Sequence, residues 1–104
     1  MKVAISAGFG GFWLSEFAKA KIADRKGVRV RGLKTFRREN RTAPDLIAVV
    51  EELGAAASDS KGDIRVIEIP DSVDEFSIFE YGGIEIVIEE GHFWDYGGHY
   101  EVHA

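Results

Sequence analysis

The sequence predicts an α+β fold, with two helices packed on a small, mostly antiparallel sheet and a C-terminal β-hairpin. Three observations predict it. Apolar residues at helical spacing are confined to the first half of the chain, up to Ala57. Alternating apolar and polar residues occupy the second half, where Gly82-Gly83 separates two such runs as a two-residue hairpin turn. At 104 residues the chain can bury one core, so residues 1–104 are read as a single domain.

Val3 to Ile5 reads as a short buried strand. After it come Gly8, Gly10 and Gly11, interleaved with Phe9, Phe12 and Trp13, and then Ser15 as a helix cap. Leu14, Phe17, Ala18, Ala20 and Ile22 approximate helical spacing until Gly27 stops the first helix. From Val28 to Phe36, Val28, Val30 and Gly32 alternate with Arg29 and Arg31, which predicts a short charged strand before a loop at Arg37 to Arg41. Pro44 sits where its missing N–H costs a helix nothing, with Thr42 or Ala43 at the cap. The second helix then runs to about Ala57 on a stripe of Leu46, Ile47, Val49, Val50 and Leu53, and Gly54 either packs closely or ends it early.

Ser58 to Gly62 is a polar loop, and Ile64, Val66, Ile67 and Ile69 form a strand stopped by Pro70-Asp71. Phe76 to Tyr81 and Ile84 to Glu90 make the hairpin. In its second strand Ile84, Ile86 and Ile88 share one face, while Glu85, Val87 and Glu89 share the other. The tail from Gly91 concentrates Phe93, Trp94, Tyr96 and Tyr100 with three histidines.

Charge is segregated. Residues 19–41 hold ten Lys/Arg against Asp24 and Glu39, a balance of +8, whereas from Thr42 onward fifteen Asp/Glu face only Lys61 and Arg65, a balance of −13. Either the basic block packs near the acidic half, within or between subunits, or it offers a face for phosphates. A long nucleic acid is disfavoured because the acidic half repels it, but a small anionic ligand suffers less. With no cysteine, disulfide and thiolate chemistry is excluded. The chain shows neither an apolar run of membrane-spanning length nor a basic-then-apolar leader, so the expected location is intracellular.

The glycine-rich turn suits an anion, because its backbone N–H groups can approach a ligand and the following helix offers its positive end. Its spacing matches neither the dinucleotide fingerprint nor the P-loop, and a plain strand-to-helix turn with core aromatics reads equally well. Phe9, Phe12 and Trp13 are candidate stacking rings. Arg41, Arg65 and Tyr81 stand at element ends, where a guanidinium can grip phosphate or pair with a carboxylate, and a ring can stack on a base. Phe76 and Phe79 alternate faces, leaving one for the core and one free. His92, His99 and His103, with Asp95 and Glu101, are ligand types that could bind zinc, but His99 and His103 lie about 13 Å apart in an extended strand, so no metal site is expected. Adjacent acids such as Glu89-Glu90 point to opposite faces, and no nucleophile elbow is present, so neither catalytic residues nor cofactor are expected.

Lys2-Val-Ala-Ile5, Gly10-Gly-Phe-x-Leu-Ser15, Arg41-Thr-x-Pro-Asp-Leu-Ile-x-Val-Val-Glu-Glu-Leu-Gly54, Val66-Ile-Glu-Ile-Pro-Asp71 and Glu80-Tyr-x-Gly-x-Glu85 follow one another in an order that resembles a family of small phage proteins. Within it, the chain is similar to the Thoeris anti-defence sponges. These bind the immune signal glycocyclic ADP-ribose, and in some members cyclic trinucleotides, without cleaving them. The resemblance implies a non-enzymatic nucleotide binder acting in the host cell cytoplasm. It also implies a homodimer or higher homo-oligomer with pockets at subunit boundaries, where arginine meets phosphate and an aromatic ring meets adenine. Arg41 is the position it carries over best. It also places Phe76 and Ser77 near the pocket, and His92-Phe93 where relatives carry a basic residue. Gly82 stands where an aspartate is usual, the segment from Gly27 to Arg41 is shorter, and the tail after Trp94 is additional. A reading of another class is an inhibitor of a host protein that presents the acidic hairpin face of Glu80, Glu85, Glu89 and Glu90.

Overall fold

The computed structural model describes residues 1–32 and 40–102. The fold is α+β, with two helices and two antiparallel sheets among the described residues, where the sequence suggested one sheet. In chain order the elements are β1 (Lys2–Ser6), α1 (Glu16–Lys26), α2 (Pro44–Leu53), β2 (Ile64–Glu68), β3 (Ser77–Tyr81), β4 (Ile84–Glu89), β5 (His92–Asp95) and β6 (Gly98–Glu101). β1 pairs with β2, and β3-β4-β5-β6 form an up-and-down meander.

The layers stack in three tiers with the β1–β2 ribbon in the middle. Its Ala4 and Ile64 face α1 and α2, packing with Ala18, Ile22, Leu46, Val49 and Val50. The alternate residues Val3, Ile5 and Ile67 face the meander, packing with Ile78, Val87 and Trp94. A ribbon covered on both sides needs apolar residues at successive positions, which is why Val3 to Ile5 carries no polar side chain.

Both helices begin and end where their chemistry dictates. Ser15 Oγ accepts the Ala18 N–H at 3.1 Å, and Gly27 closes α1 in the left-handed region at φ 70°. Pro44 opens α2, while Gly54, at φ 57° and ψ −127°, ends it early, and residues 54–57 continue as a 3-10 turn. The basic block meets carboxylates of α2 within the same chain, as Lys21 reaches Glu52 at 2.7 Å and Arg25 reaches Asp45 at 3.1 Å.

One expectation is corrected here, and the inner face of β4, which the sequence leaves open, is assigned. Val30–Gly32 is a 3-10 turn and not a strand, since the Gly27 cap reverses the chain; residues 33–39 of that predicted strand and loop lie outside the described residues. In β4 the buried face carries Glu85 and Val87, while Ile84, Ile86 and Ile88 point away from the core and are only half-buried. Cross-strand partners share a face, so Phe79, Ile86, Ile88, Phe93 and Tyr100 form an outward apolar surface.

Candidate functional site

β1 has a free edge opposite β2, and that edge explains the centre of the molecule. Unpaired N–H groups of an edge strand need acceptors when they are buried. The Ala4 N–H donates to the backbone carbonyl of Arg41 at 2.9 Å, and the Ser6 N–H donates to Glu85 Oε1 at 2.8 Å. The Arg41 guanidinium in turn donates to Glu85 at 2.5 Å and to the Ala4 carbonyl at 3.4 Å. Arg41 is 5% exposed and Glu85 3%. The pair therefore closes the strand edge while neutralising itself, and no buried side-chain polar atom among the described residues lacks a partner.

The glycine-rich turn folds over this pair. Gly83, at φ 95°, lies so close to Phe9 that an added Cβ would stand 2.2 Å from the Phe9 carbonyl oxygen, and one on Gly10 would stand 1.6 Å from that of Lys61. Glycine is required here for close approach, as the turn is pinned between the β3–β4 hairpin and the loop before β2. The Phe12 ring lies 3.5 Å from the Arg41 guanidinium carbon. Phe9, Phe12, Trp13, Arg41, Glu80, Gly82, Gly83 and Glu85 line an open cleft of about 530 Å³. Phe9 is 80% and Trp13 61% exposed, so flat apolar surface faces solvent at its rim.

The cleft unites Phe9, Phe12 and Arg41 from the expected set. Tyr81 follows it on the outer face of β3, 73% exposed. Arg65, on β2, pairs with Asp63 at 2.8 Å and lies over the Tyr96 ring; these neighbours raise its already high pKa, with the Asp63 hydrogen bond foremost. Phe76 packs on the second core, and Ser77 and Phe93 lie on the outer face of the meander. His92 turns inward beside His99. Glu80 and Glu85 were not anticipated in the cleft. A glutamate flanked by strand isoleucines was the available signal, but its partner is 44 residues away in sequence.

The α1 N-terminus does not line this cleft; Ser15 Oγ caps it at the Ala18 N–H, and the Ser15 N–H is taken by the Ala57 carbonyl. The acidic hairpin face is also curtailed, with Glu85 buried and Glu89 half-buried, leaving Glu80 and Glu90 exposed. A second open cleft of about 590 Å³, between β2 and the β5–β6 turn, is lined by Ile67, Ile69, Trp94, Tyr96 and His99 and holds none of the expected residues. It is larger, yet the glycine turn, rings and guanidinium converge on the first. No helix among the described residues is long and apolar enough to cross a membrane. No family model, curated protein or solved structure matches the chain.

Proposed function

We propose that the protein sequesters a small cyclic nucleotide signal, of the glycocyclic ADP-ribose or cyclic trinucleotide class, by holding it without chemistry between copies of itself. One observation carries this reading: exposed rings, glycine-turn backbone and a guanidinium backed by an aromatic ring converge on one cleft. A base stacks on Phe9 or Trp13, and phosphate approaches Arg41.

Glu80 and Glu85 oppose Arg41 in the lining, so phosphate binding needs further cations. A second copy supplies them from its basic block, where Arg29 and Arg31 are exposed. Its docking face is the apolar outer surface of the meander, which a two-fold axis can pair with itself.

The test is to incubate the purified protein with glycocyclic ADP-ribose or cyclic trinucleotides, remove unbound ligand, denature by heat and analyse what is released. Recovery of intact ligand supports sequestration. Recovery of altered nucleotide makes the protein an enzyme, and recovery of none overturns the reading. Phe9→Ala, which removes an exposed ring, weakens binding by about 1–3 kcal/mol without loss of fold.

A further inference from the structure

The inner face of the meander carries a second cluster that the cleft does not use. His92 on β5 lies diagonal to His99 on β6 and opposite Glu101. His92 Nδ1 stands 3.1 Å from His99 Nε2 and 3.7 Å from Glu101 Oε1, and one donor atom from each residue falls within 4.8 Å of the other two. The geometry points to a divalent transition-metal site, of the zinc, cobalt or copper class, held by His92, His99 and Glu101.

Two imidazoles and a carboxylate are the ligands such ions take, in preference to calcium or magnesium, which favour all-oxygen shells. Metal–nitrogen bonds of about 2.0–2.1 Å at tetrahedral angles place two ring nitrogens about 3.3 Å apart, close to their spacing here. Without metal, the two nitrogens can share one proton in a hydrogen bond, which a cation replaces when it takes both lone pairs. The rings must swing slightly toward Glu101, which partial exposure of all three residues allows. His99 is already oriented, as its ring stacks on Trp94 at 4.9 Å and 9°. Trp94 is buried in the second core, so one wall of the site is anchored by packing. Glu89 is the β4 partner of His92 on the same face, and a water or this carboxylate completes the shell.

Spacing along one strand conceals such a site. The pair four residues apart, His99 and His103, diverges in an extended chain, whereas residues 92 and 99 meet because the β5–β6 turn folds them together. A bound ion cross-links the two strands of this last hairpin.

The test uses the full chain without an affinity tag, titrated with zinc chloride by calorimetry and with cobalt chloride by visible absorption. The expected result is one ion per chain, a cobalt spectrum of low coordination number, and a melting temperature raised by zinc. His92→Ala and His99→Ala each reduce zinc affinity by about 100-fold or more and Glu101→Gln by about tenfold, while their metal-free melting curves stay close to the parent's. No zinc binding by the folded parent, or binding unchanged in the His92→Ala/His99→Ala double variant, overturns the assignment.

Discussion

Arg41 and Glu85 form a buried ion pair that also completes the hydrogen bonding of a strand edge, since Glu85 takes the Ser6 N–H and Arg41 takes and gives bonds at Ala4. One pair thus joins β1 to β4 and forms the floor of the cleft. The guanidinium proposed to meet the ligand is thus the one that serves the structure, and the two roles are experimentally separable.

Replacing one member of the pair leaves the other charged and buried. Arg41→Ala is expected to destabilise the protein by about 3–5 kcal/mol, read as a lower denaturation midpoint in urea. The double variant Arg41→Met/Glu85→Gln recovers much of that loss, because the uncompensated charge is gone while the amide oxygen still accepts the Ser6 N–H. A single variant as stable as the parent shows that the pair does not hold the edge.

Glu85→Gln keeps the shape and an acceptor for Ser6 but removes the negative charge that, under the proposed function, competes with phosphate for Arg41. A unit charge about 8 Å from another contributes about 2 kcal/mol at an effective dielectric of about 20. Glycocyclic ADP-ribose is therefore expected to bind this variant at least about tenfold more tightly, measured by calorimetry. Weaker binding instead means that the ligand depends on the carboxylate.

The outer face of the meander is expected to be an interface. Phe79 is 53% exposed, so Phe79→Glu leaves the core intact while placing a charge on that surface. Sedimentation velocity is expected to show an oligomer for the parent and a monomer for the variant, with unchanged circular dichroism. A monomeric parent removes this face from the proposal.

The fold was legible in the sequence wherever its cause is local. Ser15, Gly27, Pro44 and Gly82-Gly83 act on their own neighbours, and each marks the boundary it implies. The orientation of β4 was not legible, because alternation separates two faces without naming the inner one. Three isoleucines look like core, yet Glu85 takes the inside since Arg41 neutralises it and Ser6 bonds to it, both from distant parts of the chain. For the same reason Phe9, Phe12 and Arg41 were recognisable as residue types, whereas the acidic members of their cleft were not.

The two glycines that pin the turn make a graded prediction. Gly10→Ala and Gly83→Ala collide with backbone and are expected to cost more than about 2 kcal/mol each, whereas Gly27→Ala meets nothing within 4 Å and costs about 1 kcal/mol for its positive φ alone. Equal midpoints for all three in urea contradict the tight apposition of turn and hairpin.

Acid sensitivity has one assignable contributor between the helices. The Lys21 ammonium, first by its hydrogen bond and then by its charge, holds Glu52 below the ordinary glutamate range. A lowered carboxyl pKa in the folded state contributes stability that is complete above the unfolded value of about 4.3 and is lost as pH falls through the folded value. The melting temperature of the parent is expected to exceed that of Glu52→Gln slightly at neutral pH, with the gap closing below about pH 4. A gap that persists in acid assigns the effect to packing.

The middle position of β1 has a consequence for biosynthesis. Its backbone finds partners as far as 79 residues downstream, so this strand waits until those later elements have been made before its edges are covered. Helices α1 and α2 can associate early, but the nascent β1 remains sticky until β4 emerges, and mutations that slow meander formation lengthen the period in which chaperones must shield it.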